Sequence, residues 1–126
     1  MLLLQREDIE RVFSMKDAIE ADKEAFALAS AQKAVMPLRT TLSATDGTFL
    51  FMPSYAEELK YGALKTVNVF PGNAEKDIPV TQGLITLMDG ETGSFAAVLD
   101  GTYVTALRTG ASAGAAFDLF ALKDAS

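Results

Sequence analysis

The chain has 126 residues, 49% apolar and 22% charged, enough for one globular core and unlike an intrinsically disordered segment. A net charge of −6 with no Lys/Arg cluster argues against a nucleic-acid partner; no apolar run nears 18 residues and Met1–Leu4 is too short for a signal peptide, so no membrane partner and a cytoplasmic location are expected. Cysteine and histidine are both absent, which excludes thiolate and imidazole chemistry and leaves Lys, Arg, Tyr, carboxylates, backbone dipoles or a cofactor.

Leu2–Leu4 reads as an edge strand or apolar lead-in, and Arg6–Phe13 as a short helix burying Ile9, Val12 and Phe13. Ser14-Met-Lys-Asp17 has capping-box spacing and opens a helix expected to run from Met15 to about Ala34. Met15, Ile19, Phe26 and Ala29 form its apolar stripe, with Glu20, Asp22, Lys23 and Glu24 mainly on the other side. Three acidic residues there could be imagined around a hard metal, but no glycine loop or carbonyl-rich turn accompanies them, so a solvated face is expected. Pro37 ends the helix. Leu38–Thr45 and Thr48–Met52, around Asp46-Gly47, predict a hairpin with a type I′ turn. Thr45 then faces Thr48, Ser43 faces Leu50, Thr41 faces Met52 and Arg39 faces Ser54, which makes Arg39 and Met52 diagonal neighbours. Met52-Pro53-Ser54-Tyr55 is expected to leave the sheet through a proline-stiffened bend.

The segment Gly62–Phe70 reads as a strand closed by Pro71-Gly72. Alternation sets Ala63, Lys65, Val67 and Val69 on one face, so Lys65 interrupts an otherwise apolar row. A lysine there must reach solvent, lose its proton or meet an anion. After a polar loop from Ala74 to Pro79, Val80–Met88 and Ser94–Leu99 predict a second hairpin about Asp89–Gly93. Both runs are apolar on both faces; one helix layer covers one, and the other needs a second sheet, domain or subunit. Thr102–Phe120 is helical in tendency, and Thr109-Gly-Ala-Ser-Ala-Gly-Ala-Ala presents so little bulk that another backbone can approach. Gly110 and Gly114 each cost such a helix about 1 kcal/mol relative to Ala. Arg108 is expected at the helix start, where the dipole disfavours a cation unless an anion, a remote carboxylate or a shifted helix start relieves it. The Gly-Ala-Ser-Ala-Gly run lacks dinucleotide-fingerprint spacing.

The series Pro37-Leu-Arg39, Phe51-Met-Pro-Ser-Tyr55, Leu64-Lys-Thr-Val-Asn-Val-Phe-Pro-Gly-Asn73, Gln82-Gly83, Met88-Asp-Gly-Glu-Thr-Gly93 and Thr105-Ala-Leu-Arg-Thr-Gly-Ala111 resembles the ornithine cyclodeaminase/μ-crystallin family, in order and spacing, from about Gln5 to the end. The resemblance implies an α/β fold with helices packed on a mixed, largely antiparallel sheet. Residues 1–126 would form a single substrate-binding and dimerisation domain, leading into a Rossmann domain that binds NAD or NADP. It implies substrate contacts from Arg39, Met52, Lys65 and Arg108: Arg39 and Lys65 on the substrate's carboxylate, Met52 as a pocket wall, Arg108 between substrate and dinucleotide. Val80, Thr81, Arg108 and Thr109 would contact the cofactor. No residue of this chain is assigned as catalytic. The implied partners are a small amino or imino acid and a second copy of the chain, the two sheets closing about a two-fold axis.

The family's catalytic aspartate and pyrophosphate-binding turn have no counterpart in these residues, and Lys123–Ser126 falls where the first Rossmann strand is expected. The chain alone is therefore expected to be inactive, as part of a longer or truncated enzyme of the amino-acid dehydrogenase, imine reductase or cyclodeaminase type. The alternatives are a non-catalytic carboxylate-binding or dimerisation module, and a structural domain with solvated cations.

Overall fold

The computed structural model describes residues 1–121, so the strand expected at Lys123–Ser126 lies outside the described residues. A seven-stranded sheet carries three helices, a mixed and largely antiparallel α/β arrangement as expected. Strand β1 (Leu2–Leu4) is followed by α1 (Arg6–Val12) and α2 (Met15–Ser30). Then come β2 (Ala34–Val35), β3 (Thr40–Ala44), β4 (Gly47–Ala56) and β5 (Tyr61–Val69). A 3₁₀ turn, Pro71–Lys76, occupies what reads as a polar loop, and β6 (Thr81–Asp89), β7 (Phe95–Asp100) and α3 (Gly101–Phe120) complete the fold.

The strands lie in the order β1-β7-β6-β5-β4-β2, with β3 also paired to β4; only β1 and β7 run parallel. The central strand, β5, pairs along its whole length with β4 and β6. Rows of paired residues define two faces. One holds Met52, Lys65, Ile85 and Leu99 in one row, and Ser54, Ala63, Leu87 and Ala97 in the next. The other holds Phe51, Thr66 and Leu84, then Pro53, Leu64, Thr86 and Val98.

Helix α3 lies on the Lys65 face. The contact needs glycine on both sides: a Cβ on Gly101 would lie 2.6 Å from the Gly83 carbonyl carbon and the Leu84 nitrogen. Further along, Ala111 and Ala115 are buried, and Gly110 and Gly114 admit Met15 and Ile19 of α2, so the smallness of this run serves helix packing. Ser112 Oγ donates to Asp22 Oδ2 at 2.6 Å, and Lys23 pairs with Glu20 and Asp118. The Asp22 and Lys23 side of α2 thus meets α3, not solvent alone. On that side Met15 and Phe26 stay partly exposed, Phe26 at 56%, while Ala18 and Leu28 are the buried residues of α2. Apolar periodicity locates a stripe but not which larger side chains are covered. Val12 is 81% exposed and Phe13 is also exposed, leaving Ile9 as the buried residue of α1.

Several boundaries differ from the sequence expectation for local reasons. The capping box forms, with Asp17 N–H donating to Ser14 Oγ and Ser14 N–H to Asp17 Oδ2. Helix α2 stops at Ser30, well before Pro37: Gln32 adopts φ 58°, Lys33 N–H reaches Leu28 O and Gln32 N–H reaches Ala29 O, a Schellman termination built without glycine. The first hairpin is shifted by two residues, pairing Ser43 with Thr48, Thr41 with Leu50 and Ala44 with Gly47, so Thr45-Asp46 form the turn. Neither Asp46 nor Gly47 has positive φ, so the expected I′ turn is absent; Gly47 is required instead by the Phe70 ring, 2.6 Å from where its Cβ would be. Pro53 stays within β4, level with the gap where β3 has ended and β2 has not begun, so the bend expected there does not occur. On the sheet face away from α3, Leu3, Leu42, Phe49 and Leu84 are exposed, Leu84 at 51%.

Among the described residues no helix is long and apolar enough to cross a membrane, and no acidic cluster has metal-site geometry, Glu20, Asp22 and Glu24 included.

Candidate functional site

Alternation along β5 sends Ala63, Lys65 and Val67 to the α3 side, and three cavities share this row as their floor. Lys65 lies in a cavity of about 540 Å³ whose walls include Met36, Arg39, Met52, Ser54, Ile85 and Arg108. Met52 comes from the paired strand directly beside Lys65. Arg39 arrives on residues 36–39, between β2 and β3, and the shifted hairpin register sets it level with Met52 instead of diagonal to it. Arg108 descends from α3. It is the eighth residue of that helix, not at its start, and Asp100 Oδ1 caps the amide end by accepting from Tyr103 N–H. The helix-dipole conflict expected at Arg108 therefore does not arise.

The three cations of this cavity have no carboxylate partner among the described residues; the ion pairs of the chain lie elsewhere. Lys65 is held below the ordinary lysine pKa, first by partial burial, then by the charges of Arg108 and Arg39. Such a group gains from an anion that screens two like charges and replaces lost water. Arg39 is exposed at the rim, so the cavity combines one constrained ammonium with an open guanidinium suited to bidentate carboxylate pairing.

A second cavity, about 360 Å³, is lined by Val67, Thr81, Gly83, Thr102, Thr105 and Thr109, among others. Consecutive residues Arg108 and Thr109 thus line different cavities. Thr109 Oγ1 donates to Thr105 O at 2.7 Å, whereas Thr105 Oγ1 is buried without a hydrogen-bond partner among the described residues. Val80 is not in the lining; its carbonyl accepts from Phe70 N–H at 2.8 Å and fixes the start of β6 beside Thr81. The sequence reading overlooked Thr102 and Thr105, although 102, 105 and 109 share one side of a helix by the i, i+3, i+4 rule. It also overlooked Met36 and Ile85, whose residue types carry no chemical signal.

The chain was compared with known proteins. Residues 1–126 match the model of the ornithine cyclodeaminase/mu-crystallin family. An alanine dehydrogenase of Archaeoglobus fulgidus is 41% identical over 125 residues, covering 99% of this chain and 38% of that protein. A Delta(1)-pyrroline-2-carboxylate reductase of Bacillus cereus is 35% identical over 118 residues, covering 92% of this chain and 36% of the relative. Among solved structures, the Thermococcus litoralis Delta(1)-pyrroline-2-carboxylate reductase in complex with NADH and L-proline superposes with a TM-score of 0.92 at 41% identity, over 100% of this chain and 40% of that one. An archaeal alanine dehydrogenase dimer with bound NAD gives a TM-score of 0.91 at 40% identity, over 100% and 39%. The chain spans less than two-fifths of the length of the curated relatives named here.

Proposed function

Because the chain belongs to the ornithine cyclodeaminase/mu-crystallin family, we propose that it is the substrate-binding part of an NAD(P)-dependent amino-acid or imine oxidoreductase or cyclodeaminase. The observation that carries this reading is the convergence of Arg39, Lys65 and Arg108 on one cavity without a carboxylate among its described lining residues. The guanidinium of Arg39 grips both oxygens of the substrate's carboxylate, and Lys65 adds a compact charge at the cavity floor. Met52 walls the substrate, and Arg108 stands between it and the cofactor. Holding the carboxylate fixes the orientation of the adjacent Cα, which is what hydride exchange at that atom requires.

The threonine cavity suits the polar edge of a nicotinamide ring, since Thr105 Oγ1 is a buried hydroxyl with hydrogen-bonding capacity to spare. Thr81 and Thr109 would hold that end, with Val80 setting Thr81 in place. Bound there, NAD or NADP supplies hydride exchange at the substrate's Cα. The relatives whose structures are known with NAD, or with NADH and L-proline, support this assignment. The exposed apolar sheet face supports a homodimer joined through it. It is also the feature that favours the second reading, a non-catalytic dimerisation module that retains a carboxylate site.

The test is calorimetric titration of the chain with pyruvate and L-proline. Binding that Arg39→Ala and Lys65→Met each weaken by roughly 10- to 150-fold, the range for a charge-assisted hydrogen bond, supports the site. Binding unchanged in both variants refutes it.

A further inference from the structure

Beside the cation cavity lies a third one, about 330 Å³, between α2 and the sheet. Its walls are almost entirely carbon, among them Leu28, Leu59 and Leu87. Met36, Ser54 and Ala63 line both cavities. The boundary between them is therefore a floor of two small paired residues, Ser54 and Ala63, under one flexible methionine, with no bulky side chain contributed from either strand. Ala63 is two residues from Lys65 on the same face, about 7 Å along the strand. The polar side chains of the apolar cavity besides Ser54 are few: Tyr55 hydroxyl is already used, donating to Glu57 Oε2 at 2.7 Å, Glu24 shares the cavity-facing side of α2 with Ala21, Ala25 and Leu28 and is exposed, and Tyr61 is exposed as well.

We propose that the two cavities form one site, and that its ligand is a 2-oxo or 2-imino carboxylate with a straight apolar side chain of about four or more carbons. The proposal rests on the carboxylate reading above and deepens it by naming the substrate class. A carboxylate on Lys65 and Arg39 points its chain over Ser54 and Ala63; roughly five single bonds span the distance to the apolar walls. A shorter ligand leaves those walls facing water. A longer one buries its methylenes against Leu28 and Leu87, each removed from water with a gain of about fourfold in affinity.

The experiment is calorimetric titration with straight-chain 2-oxo acids from pyruvate to 2-oxooctanoate, and with the pair L-norleucine and L-lysine. Affinity is expected to rise by about fourfold per methylene beyond 2-oxopentanoate, with an increasingly negative heat-capacity change. Ala25→Phe and Ala21→Phe, two exposed α2 positions that line the apolar cavity alone, should each erase that rise and leave pyruvate binding intact. Two variants guard against one failing to fold. A flat length series, a rise that survives in both variants, or tighter binding of lysine than norleucine overturns the inference. If pyruvate binds while the series is flat, only this inference falls. If no member binds, the carboxylate reading falls and takes this one with it.

Discussion

Replacing Gly101 by alanine tests how the fold positions the site. The new Cβ would sit 2.6 Å from the Gly83 carbonyl carbon and the Leu84 nitrogen, and 2.8 Å from Leu84 Cα. All three are backbone atoms of a strand paired on both sides, so no side chain can swing away. Reaching an ordinary 3.4 Å contact requires the start of α3 to lift from β6 by about 0.8 Å. Overpacking of this kind costs about 1–3 kcal/mol, and alanine's better helix propensity offsets less than 1 kcal/mol. A net loss of about 1–2 kcal/mol lowers the melting temperature by roughly 4–10 °C in a domain of this size. Arg108 rides on the same helix about two turns on, so carboxylate affinity should fall by on the order of tenfold as the cations lose register. Urea denaturation and pyruvate titration read the two effects, with Gly72→Ala as the control, since nothing lies within 4 Å of that added Cβ. Wild-type stability and affinity in Gly101→Ala would refute the account of how α3 is seated.

Lys65→Met should abolish most carboxylate binding yet raise the melting temperature at neutral pH, because it removes a half-buried charge facing two others. The pH dependence has a definite sign. Lys65 is depressed below 10.5 in the folded chain, so between that lowered value and 10.5 the unfolded chain holds a proton the folded one has lost; wild type gains stability relative to Lys65→Met as pH rises through this window. Equal pH slopes for the two proteins in urea titrations would contradict it. Gly110→Ala should stabilise by up to about 1 kcal/mol, since its Cβ meets only the Met15 methyl at an ordinary 3.4 Å, while Gly114→Ala should not, its Cβ falling 2.7 Å from Ile19 Cδ1. Equal effects in denaturation would sink that distinction. Ser14→Ala should cost about 1 kcal/mol by uncapping α2, with pyruvate affinity unchanged.

The unequal legibility of the fold has physical causes. Lys65 could be placed because alternation along a strand is a property of the backbone, independent of what packs around it. The capping box was legible because its partners are three residues apart. The hairpin register was not, because Asp46-Gly47 carries the usual turn signal while Gly47 is in fact demanded by Phe70, far along the chain. The end of α2 was hidden by a left-handed glutamine, Gln32, where a glycine would have announced the stop. Pro53 looked like an exit from the sheet because a sequence does not reveal that two short strands share one edge of β4 and leave a gap between them. Arg108 was assigned to a helix start because Asp100-Gly101 reads as a strand closure, whereas the same two residues cap and open α3. The orphan hydroxyl of Thr105 depends on tertiary burial and has no sequence signature.

The segment that delivers Arg39 is tethered at both ends to one strand. Val35 pairs with Tyr55 and Thr40 with Phe51, so residues 36–39 bridge only the stretch of β4 between those two anchors. That stretch is about 13 Å long, and the bridging chain from residue 35 to residue 40 can extend to only about 16–18 Å. Little slack remains. The conformational entropy of placing Arg39 beside Met52 is surrendered when the sheet forms, so a ligand need not order that backbone on arrival. The backbone that carries Arg39 is preorganised, and adding two glycines to this bridge would loosen the grip on a carboxylate while leaving the sheet's pairing as it is.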